Sequence, residues 1–403
     1  MEKKIVANVD ADMAAAILLL KESVDINSGT FNISGIRKTG ELYAKELQAL
    51  GFTVIWISLP DSLKRAGHLV AFRKGKKGKR LLLIGHLDTV FEPDMPPNPY
   101  TMLDDSTATG QGVNDMKGGD VLVIESLKAL QRQCLLENTS ITVYFMGDEE
   151  NAGEPRRVSR GDFIDRAKQH DVALAFESAA GLNSVADARR GASNWKLEVK
   201  AKQAHSSGIF KGAYGSIYEA ARIVNSFREK LSTQPYLTFS PALFIGGTDV
   251  QFNDQPLQGT VTSKANIIAP KTIVFGDLRF LSEEQKERAR DTMRMIVADH
   301  LPGTDASISF EDAIPSMPPT PGNDSLVKLV NAASVDLGFG EVNPGDPGER
   351  GAGDISYVAK YLDCLDGLGA SGKGAHAPGE TINLSQYPKL IKRSALLIYR
   401  LTR

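Results

Sequence analysis

Residues 80–90, Arg80-Leu-Leu-Leu-Ile-Gly-His86-Leu-Asp88-Thr-Val90, run an uninterrupted apolar stretch into a glycine, then place a histidine and an aspartate two positions apart. A short apolar run bounded by glycine reads as a buried strand. Side chains alternate along a strand, so His86 and Asp88 face one side. The spacing predicts that Asp88 accepts the second ring N–H of His86 and fixes its tautomer. The strand then ends in a metal-ligand candidate and its orienter.

The same construction recurs along the chain. Ile141-Thr-Val-Tyr-Phe closes on Met146-Gly-Asp-Glu149-Glu150, and Ala173-Leu-Ala-Phe closes on Glu177. Between them in type, though earlier in order, Gly110-Gln-Gly-Val-Asn-Asp115-Met-Lys-Gly-Gly119 brings glycines that let the backbone turn tightly before the helical run Asp120–Leu130. Near the C-terminus stands Gly374-Ala-His376-Ala-Pro-Gly-Glu380. Each feature alone is a capped strand end or a hydrogen-bonded loop. Together, His86, Asp115, Glu150, Glu177 and His376 form a hard and borderline ligand set. It suffices for two divalent cations if Asp115 is shared. Two adjacent glutamates cannot easily serve one ion, so Glu150 is the ligand and Glu149 the general base. Open α/β sheets bind ligands beyond the carboxyl ends of their strands, where these residues fall.

The series GHLDTV, GQGVNDMKGG, GDEE, FES and AHAPGE resembles the motifs of the dizinc exopeptidase family that includes glutamate carboxypeptidase, aminoacylase, acetylornithine deacetylase and succinyl-diaminopimelate desuccinylase. The resemblance spans nearly the whole chain and is closest to glutamate carboxypeptidase. It implies two Zn²⁺ per subunit, with Mn²⁺ or Co²⁺ as substitutes. His86 and Glu177 would hold one ion, Glu150 and His376 the other, and Asp115 would bridge. Asp88 would be the orienting partner and Glu149 the base that activates water. His205, in Ala201-Lys-Gln-Ala-His205-Ser-Ser-Gly208, corresponds to a lid histidine that donates to the oxyanion, in dimers from the neighbouring subunit. Here Ala201 replaces a common glycine and Ser-Ser-Gly-Ile-Phe departs from the family pattern. Asn266, in Ser263-Lys-Ala-Asn266-Ile-Ile, and Arg279, in Phe275-Gly-Asp-Leu-Arg279-Phe, resemble the pair that contacts the substrate. Arg279 would clasp a free carboxylate with its planar fork, unless it serves as a strand-edge ion-pair partner.

The implied activity is hydrolysis of an amide or peptide bond to release an amino acid with a free carboxylate. N-acyl amino acid deacylation or desuccinylation is the alternative, and a non-catalytic scaffold on the same fold is the remote one. Partners are then a small peptide or N-acyl amino acid and a second copy of the chain, paired through the lid.

Organisation follows from the periodicities. Helices are expected at about 11–24, capped by Asp10, and at 34–50, before the strand Phe52–Ser58. Strands and helices alternate through Phe176, which predicts an α/β fold with a doubly wound, mixed and mainly parallel sheet. From Gly191 the pattern becomes βαββαβ, an α+β insertion. The boundaries read as 1–190 for the first part of a catalytic domain, 191–314 for an inserted lid or dimerisation domain, and 315–403 for the second part. Lys74-Gly-Lys-Lys-Gly-Lys-Arg80 reads as a solvated hairpin loop, and Gly348-Glu-Arg-Gly-Ala-Gly-Asp354 as a pocket wall rather than a phosphate cradle, since no Gly-Lys-Ser/Thr follows.

Composition narrows the function classes. The chain has 403 residues, 42% hydrophobic and 24% charged, with a formal net charge of -2, which argues against nucleic acid as a partner. Two cysteines without a CxxC leave disulfides no part in holding the fold. Ala14–Leu20 is too short to span a bilayer, and its acidic flanks spoil a signal-peptide reading. No membrane association and a cytoplasmic location are the expectation, a removed leader being the alternative.

Overall fold

The computed structural model describes all 403 residues and divides into two compact units. The first comprises Met1–Ala188, Pro319–Asp346 and Gly353–Arg403; the second comprises Arg189–Pro318 and Pro347–Ala352.

The first unit is built on a six-stranded mixed sheet. Strand Lys77–His86 lies at its centre, parallel to Thr139–Met146 on one side and to Val172–Ala175 on the other. Val172–Ala175 pairs in parallel with Asp363–Leu365, while His68–Arg73 and Thr53–Ile57 extend the opposite edge antiparallel. The central strands are Leu-, Val- and Ile-rich because both faces are covered. Leu81, Leu83, Val143 and Leu174 pack into the core made with helices Glu2–Asp25, Ile33–Ala49, Lys117–Gln131 and Tyr387–Thr402. On the other face Tyr144 meets Phe163 of helix Gly161–Ala167, with ring centroids 5.0 Å apart. Helix Lys117–Gln131 approaches this sheet closely because a Cβ on Gly119 would sit 2.1 Å from the Phe176 carbonyl oxygen.

Three expectations for this unit change. The first helix begins at Glu2, not near residue 11, and Asp10 is an interior residue paired with Lys392. Buried Ile5 and Val9 continue the apolar stripe of Ala16, Leu20 and Val24 one turn after another. Residues 74–80 are not a hairpin loop, because Thr139–Met146 inserts between His68–Arg73 and Lys77–His86 and pairs with both. A second sheet, Thr101–Asp104, Thr107–Thr109, Gly372–Lys373 and Thr381–Asn383, stitches the C-terminal segment to the segment before Asp115.

The second unit has a four-stranded antiparallel sheet ordered Thr238–Gly247, Lys271–Phe280, Gly191–Ala201, Thr304–Ile314. Helices Gly215–Leu231 and Glu283–Ala298 cover one face, burying Trp195, Leu197, Phe227, Leu278 and Met293. With its main strands taken in order this is the expected βαββαβ arrangement. The hairpin Asp249–Asp254/Leu257–Thr262 is an addition that the sequence pattern did not reveal. No helix in either unit is long and apolar enough to cross a membrane.

Candidate metal centre and active site

The carboxyl ends of three parallel strands deliver four of the site's side chains. His86 is the last residue of its strand, Glu149 and Glu150 follow Met146, and Glu177 follows Ala175 by two residues. Asp115 lies two residues before helix Lys117–Gln131, and His376 occupies the turn between Gly372–Lys373 and Thr381–Asn383. His376 adopts a left-handed backbone conformation, φ 66°, a strained choice for a residue with a Cβ and one that clusters at functional sites.

Five side chains converge into two groups that share Asp115. His86 Nε2 lies 3.2 Å from Asp115 Oδ1 and 3.6 Å from Glu177 Oε1. His376 Nε2 lies 3.0 Å from Asp115 Oδ2 and 3.2 Å from Glu150 Oε2. Within each group the ligand atoms are all within 4.8 Å of one another. Glu150 Oε1 is buried without a hydrogen-bond partner, an acceptor that a cation would satisfy. Carboxylate oxygen and imidazole nitrogen are the donor types that Zn²⁺ takes, so the residues present fit a dinuclear divalent centre.

Electrostatics reflect this crowding of acids. Hydrogen bonds to Asp115 and Glu150 push His376 up to about 11. Burial pushes Glu149 well above the usual carboxylate range; His86 pulls it back, and Asp354, Glu177 and Glu150 add to the rise. Burial likewise lifts Asp88 to about 6, against His86.

Asp88 supports the site differently from the sequence expectation. The partner of His86 Nδ1 is the main-chain carbonyl of Asp88 at 2.9 Å, while the carboxylate stands 3.6 Å away. His86 lies at the strand's last position and the backbone turns after it, so the alternation argument no longer applies. The carbonyl still fixes the tautomer: Nδ1–H donates and Nε2 keeps a lone pair for a cation. The Asp88 carboxylate instead accepts Glu149 N–H at 3.0 Å, Glu150 N–H at 3.1 Å and the Thr30 hydroxyl at 2.7 Å, which holds the two glutamates in place.

Glu380 is a supporting residue to which the sequence reading gave no role. Its carboxylate accepts the backbone N–H groups of Gly112, Asn114 and Asp115 at 3.2, 2.7 and 2.7 Å, fixing the loop that presents Asp115. An acid inside the last motif was the available signal.

The remaining histidines separate clearly. His68 is fully buried, with Nε2 3.0 Å from the Ser159 carbonyl and Nδ1 accepting Gly147 N–H, and burial holds it below the usual imidazole range. His170 bonds the Arg166 carbonyl and the Thr142 hydroxyl. His205, Asn266 and Arg279 belong to the second unit. His205 is exposed, and its Nδ1 accepts the Ser207 N–H at 3.2 Å with Ser207 Oγ at 2.9 Å. Arg279 Nε donates to Asp277 Oδ2 at 3.1 Å on its own strand, and the Asn266 carbonyl accepts Ser206 N–H.

Comparison with known proteins places the chain among relatives. It is 26% identical over 396 residues to carboxypeptidase G2 of Pseudomonas sp. (strain RS-16), spanning 96% of this chain and 89% of that protein. It is 26% identical over 313 residues to succinyl-diaminopimelate desuccinylase of Polynucleobacter necessarius, covering 74% and 76%. The fold matches the crystal structure of aminopeptidase PepT from Bacillus cereus with a TM-score of 0.76 at 16% identity, over 97% and 99% of the two chains. Residues 82–400, from the apolar run before His86 to the closing helix, match the profile of peptidase family M20/M25/M40. A chain whose acids and histidines gather at the sheet's carboxyl end, and which matches that profile over well more than half of its length, belongs to this family of metal-dependent peptidases and is a hydrolytic enzyme.

Proposed function

We propose that the protein is a zinc-dependent exopeptidase of the glutamate carboxypeptidase kind, which hydrolyses an amide or peptide bond and releases an amino acid with a free carboxylate. The observation that carries this reading is the pair of ligand groups sharing Asp115, with Glu149 beside them. His86, Asp115 and Glu177 would hold one Zn²⁺, and Asp115, Glu150 and His376 the other, with Mn²⁺ or Co²⁺ as substitutes. Bound there, the cations supply Lewis-acid polarisation of the scissile carbonyl and make water acidic enough to attack near neutral pH.

The chain's own residues do the rest. Glu149 takes the proton from the attacking water and hands it to the leaving amine, a role suited to a carboxyl whose affinity for protons is raised. His205 donates to the developing oxyanion. Its Nδ1 accepts the Ser207 N–H, so in the neutral ring the proton sits on Nε2, which makes no hydrogen bond and is free to donate. Arg279 and Asn266 receive the substrate's free carboxylate; the Nη atoms of Arg279 stay available while Nε holds Asp277. The second unit, residues 191–314 by sequence, serves as the lid and as the surface for a homodimer. A groove of about 650 Å³ beside the edge strand Thr238–Gly247, lined by Val224, Phe227, Phe239 and Phe244, supports that assignment. Sedimentation of the purified chain would test it.

The similarity to a succinyl-diaminopimelate desuccinylase favours a second reading, N-acyl amino acid deacylation by the same chemistry. Zn²⁺-loaded protein assayed on a panel of peptidyl and N-acyl amino acids decides between them. Faster release of a C-terminal amino acid from peptides supports the first reading, and a preference for N-succinyl or N-acetyl substrates supports the second. A folded, metal-loaded protein inert on the whole panel overturns both.

A further inference from the structure

A second cluster of charge lies behind Glu149 and takes no part in the chemistry described above. Arg160 is fully buried, and its guanidinium spans two aspartates. Nη1 donates to Asp148 Oδ1 at 2.6 Å, Nη2 to the Asp148 carbonyl at 3.0 Å, and Nε to Asp354 Oδ1 at 2.8 Å. Asp148 is completed by the Ser159 hydroxyl at 2.6 Å and the Gly153 N–H at 2.8 Å. Both Asp148 oxygens are therefore satisfied. Asp354 is different: it is 6% exposed, and its Oδ2 is buried with no hydrogen-bond partner.

That unmatched oxygen belongs to a residue lining a cavity of about 10 Å³, walled also by Glu149, His86, Glu177, Ile84, Met116 and Ile355. Such a volume admits about one water molecule. A buried carboxylate oxygen left unsatisfied keeps its full desolvation penalty, so a donor is required there. Glu149 lines the same small cavity. A molecule the size of water fits that space and can donate one hydrogen to the Asp354 oxygen while it hydrogen-bonds the Glu149 carboxyl.

We propose that Asp354, clamped by Arg160, is a positioning residue for the general base: through a single buried water it fixes the carboxylate of Glu149 in the orientation that meets the attacking water. Arg160 restrains Asp354 and, through Asp148, the residue next to Glu149, so one guanidinium sets both sides of the base. A base misplaced by about 1 Å loses on the order of 100-fold in rate. The inference rests on the assignment of Glu149 as base.

The test uses the full metal-loaded chain and the best substrate from the panel, with D354A and D354N compared for kcat, KM, bound metal and melting temperature. D354N keeps an oxygen for Arg160 Nε and replaces the free oxygen by a donor. The expected result is that D354A lowers both melting temperature and kcat, whereas D354N recovers the melting temperature but leaves kcat down about 100-fold, with KM and metal content unchanged. A merely structural role would return kcat together with stability in D354N, and that result overturns the proposal. So do a rise in KM at constant kcat, or loss of metal in D354N. Wild-type protein inert on every amide overturns the hydrolytic reading itself, which separates the two failures.

Discussion

Leu81 to His86 of the first unit's central strand are all buried, whereas along Gly191–Ala201 of the second unit buried and half-exposed residues alternate from Gly191 to Val199. One sheet is covered on both faces and has only its ends to offer a ligand. The other is covered by helices on one face and shows the opposite face, with Asn194, Lys196 and Glu198, to solvent. The difference teaches where each unit can hold function. A doubly covered sheet fixes its strand ends rigidly, which suits groups that must meet within about half an ångström. A singly covered sheet suits recognition and pairing.

If this division is right, the largest effects come from the strand ends. E149Q is expected to lower kcat by about 1,000-fold or more while bound metal stays at the wild-type level. Near-normal turnover in that variant would move the chemistry elsewhere. Next come the two cores. W195A in the second unit and F145A in the first should each cost about 3–5 kcal/mol in denaturant unfolding. The comparison sharpens if W195A lowers one calorimetric transition and F145A another; a single shared transition in both variants would break it.

Smaller again is the loop support. E380A removes the acceptor of three backbone N–H groups behind Asp115 and should weaken metal affinity by about 10- to 100-fold, read by competition with a chelator. Unchanged affinity would mean that the loop holds its shape without Glu380.

The smallest effect lies at the opposite end of the central strand. Hydrogen bonds from Arg80 hold Asp171 down at about 2, below its value of about 3.9 in an unfolded chain. A carboxyl lowered on folding stabilises the protein above the unfolded value and loses that contribution as pH falls toward 2. D171N should therefore be less stable than wild type by less than about 1 kcal/mol between pH 5 and 7, since Arg80 is half exposed, and the gap should close on acidification. A gap that widens as pH falls would contradict the pairing.

Much of this was legible in the sequence because it was written locally. An apolar run ending in Gly-His, or in Phe-Glu, states both the strand and the residue at its end, and the βαββαβ order of the second unit follows from alternating periods. What escaped is non-local or solvent-facing. Hairpin 249–262 is mostly exposed, so no apolar alternation marks it. The insertion of Thr139–Met146 between two strands that are neighbours in sequence depends on pairing across some seventy residues, which no local pattern records. Arg160 and Asp354 are 194 positions apart and share no motif. The Asp88 carboxylate departs from its expected partner because ideal strand alternation ends at His86, two residues before it.

The grip of Glu380 on residues 112–115 joins partners 265 to 268 positions apart in the chain. A ribosome making this protein therefore completes the whole second unit before the loop around Asp115 can be pinned, so the side chains that gather around Asp115 take their final places late in synthesis.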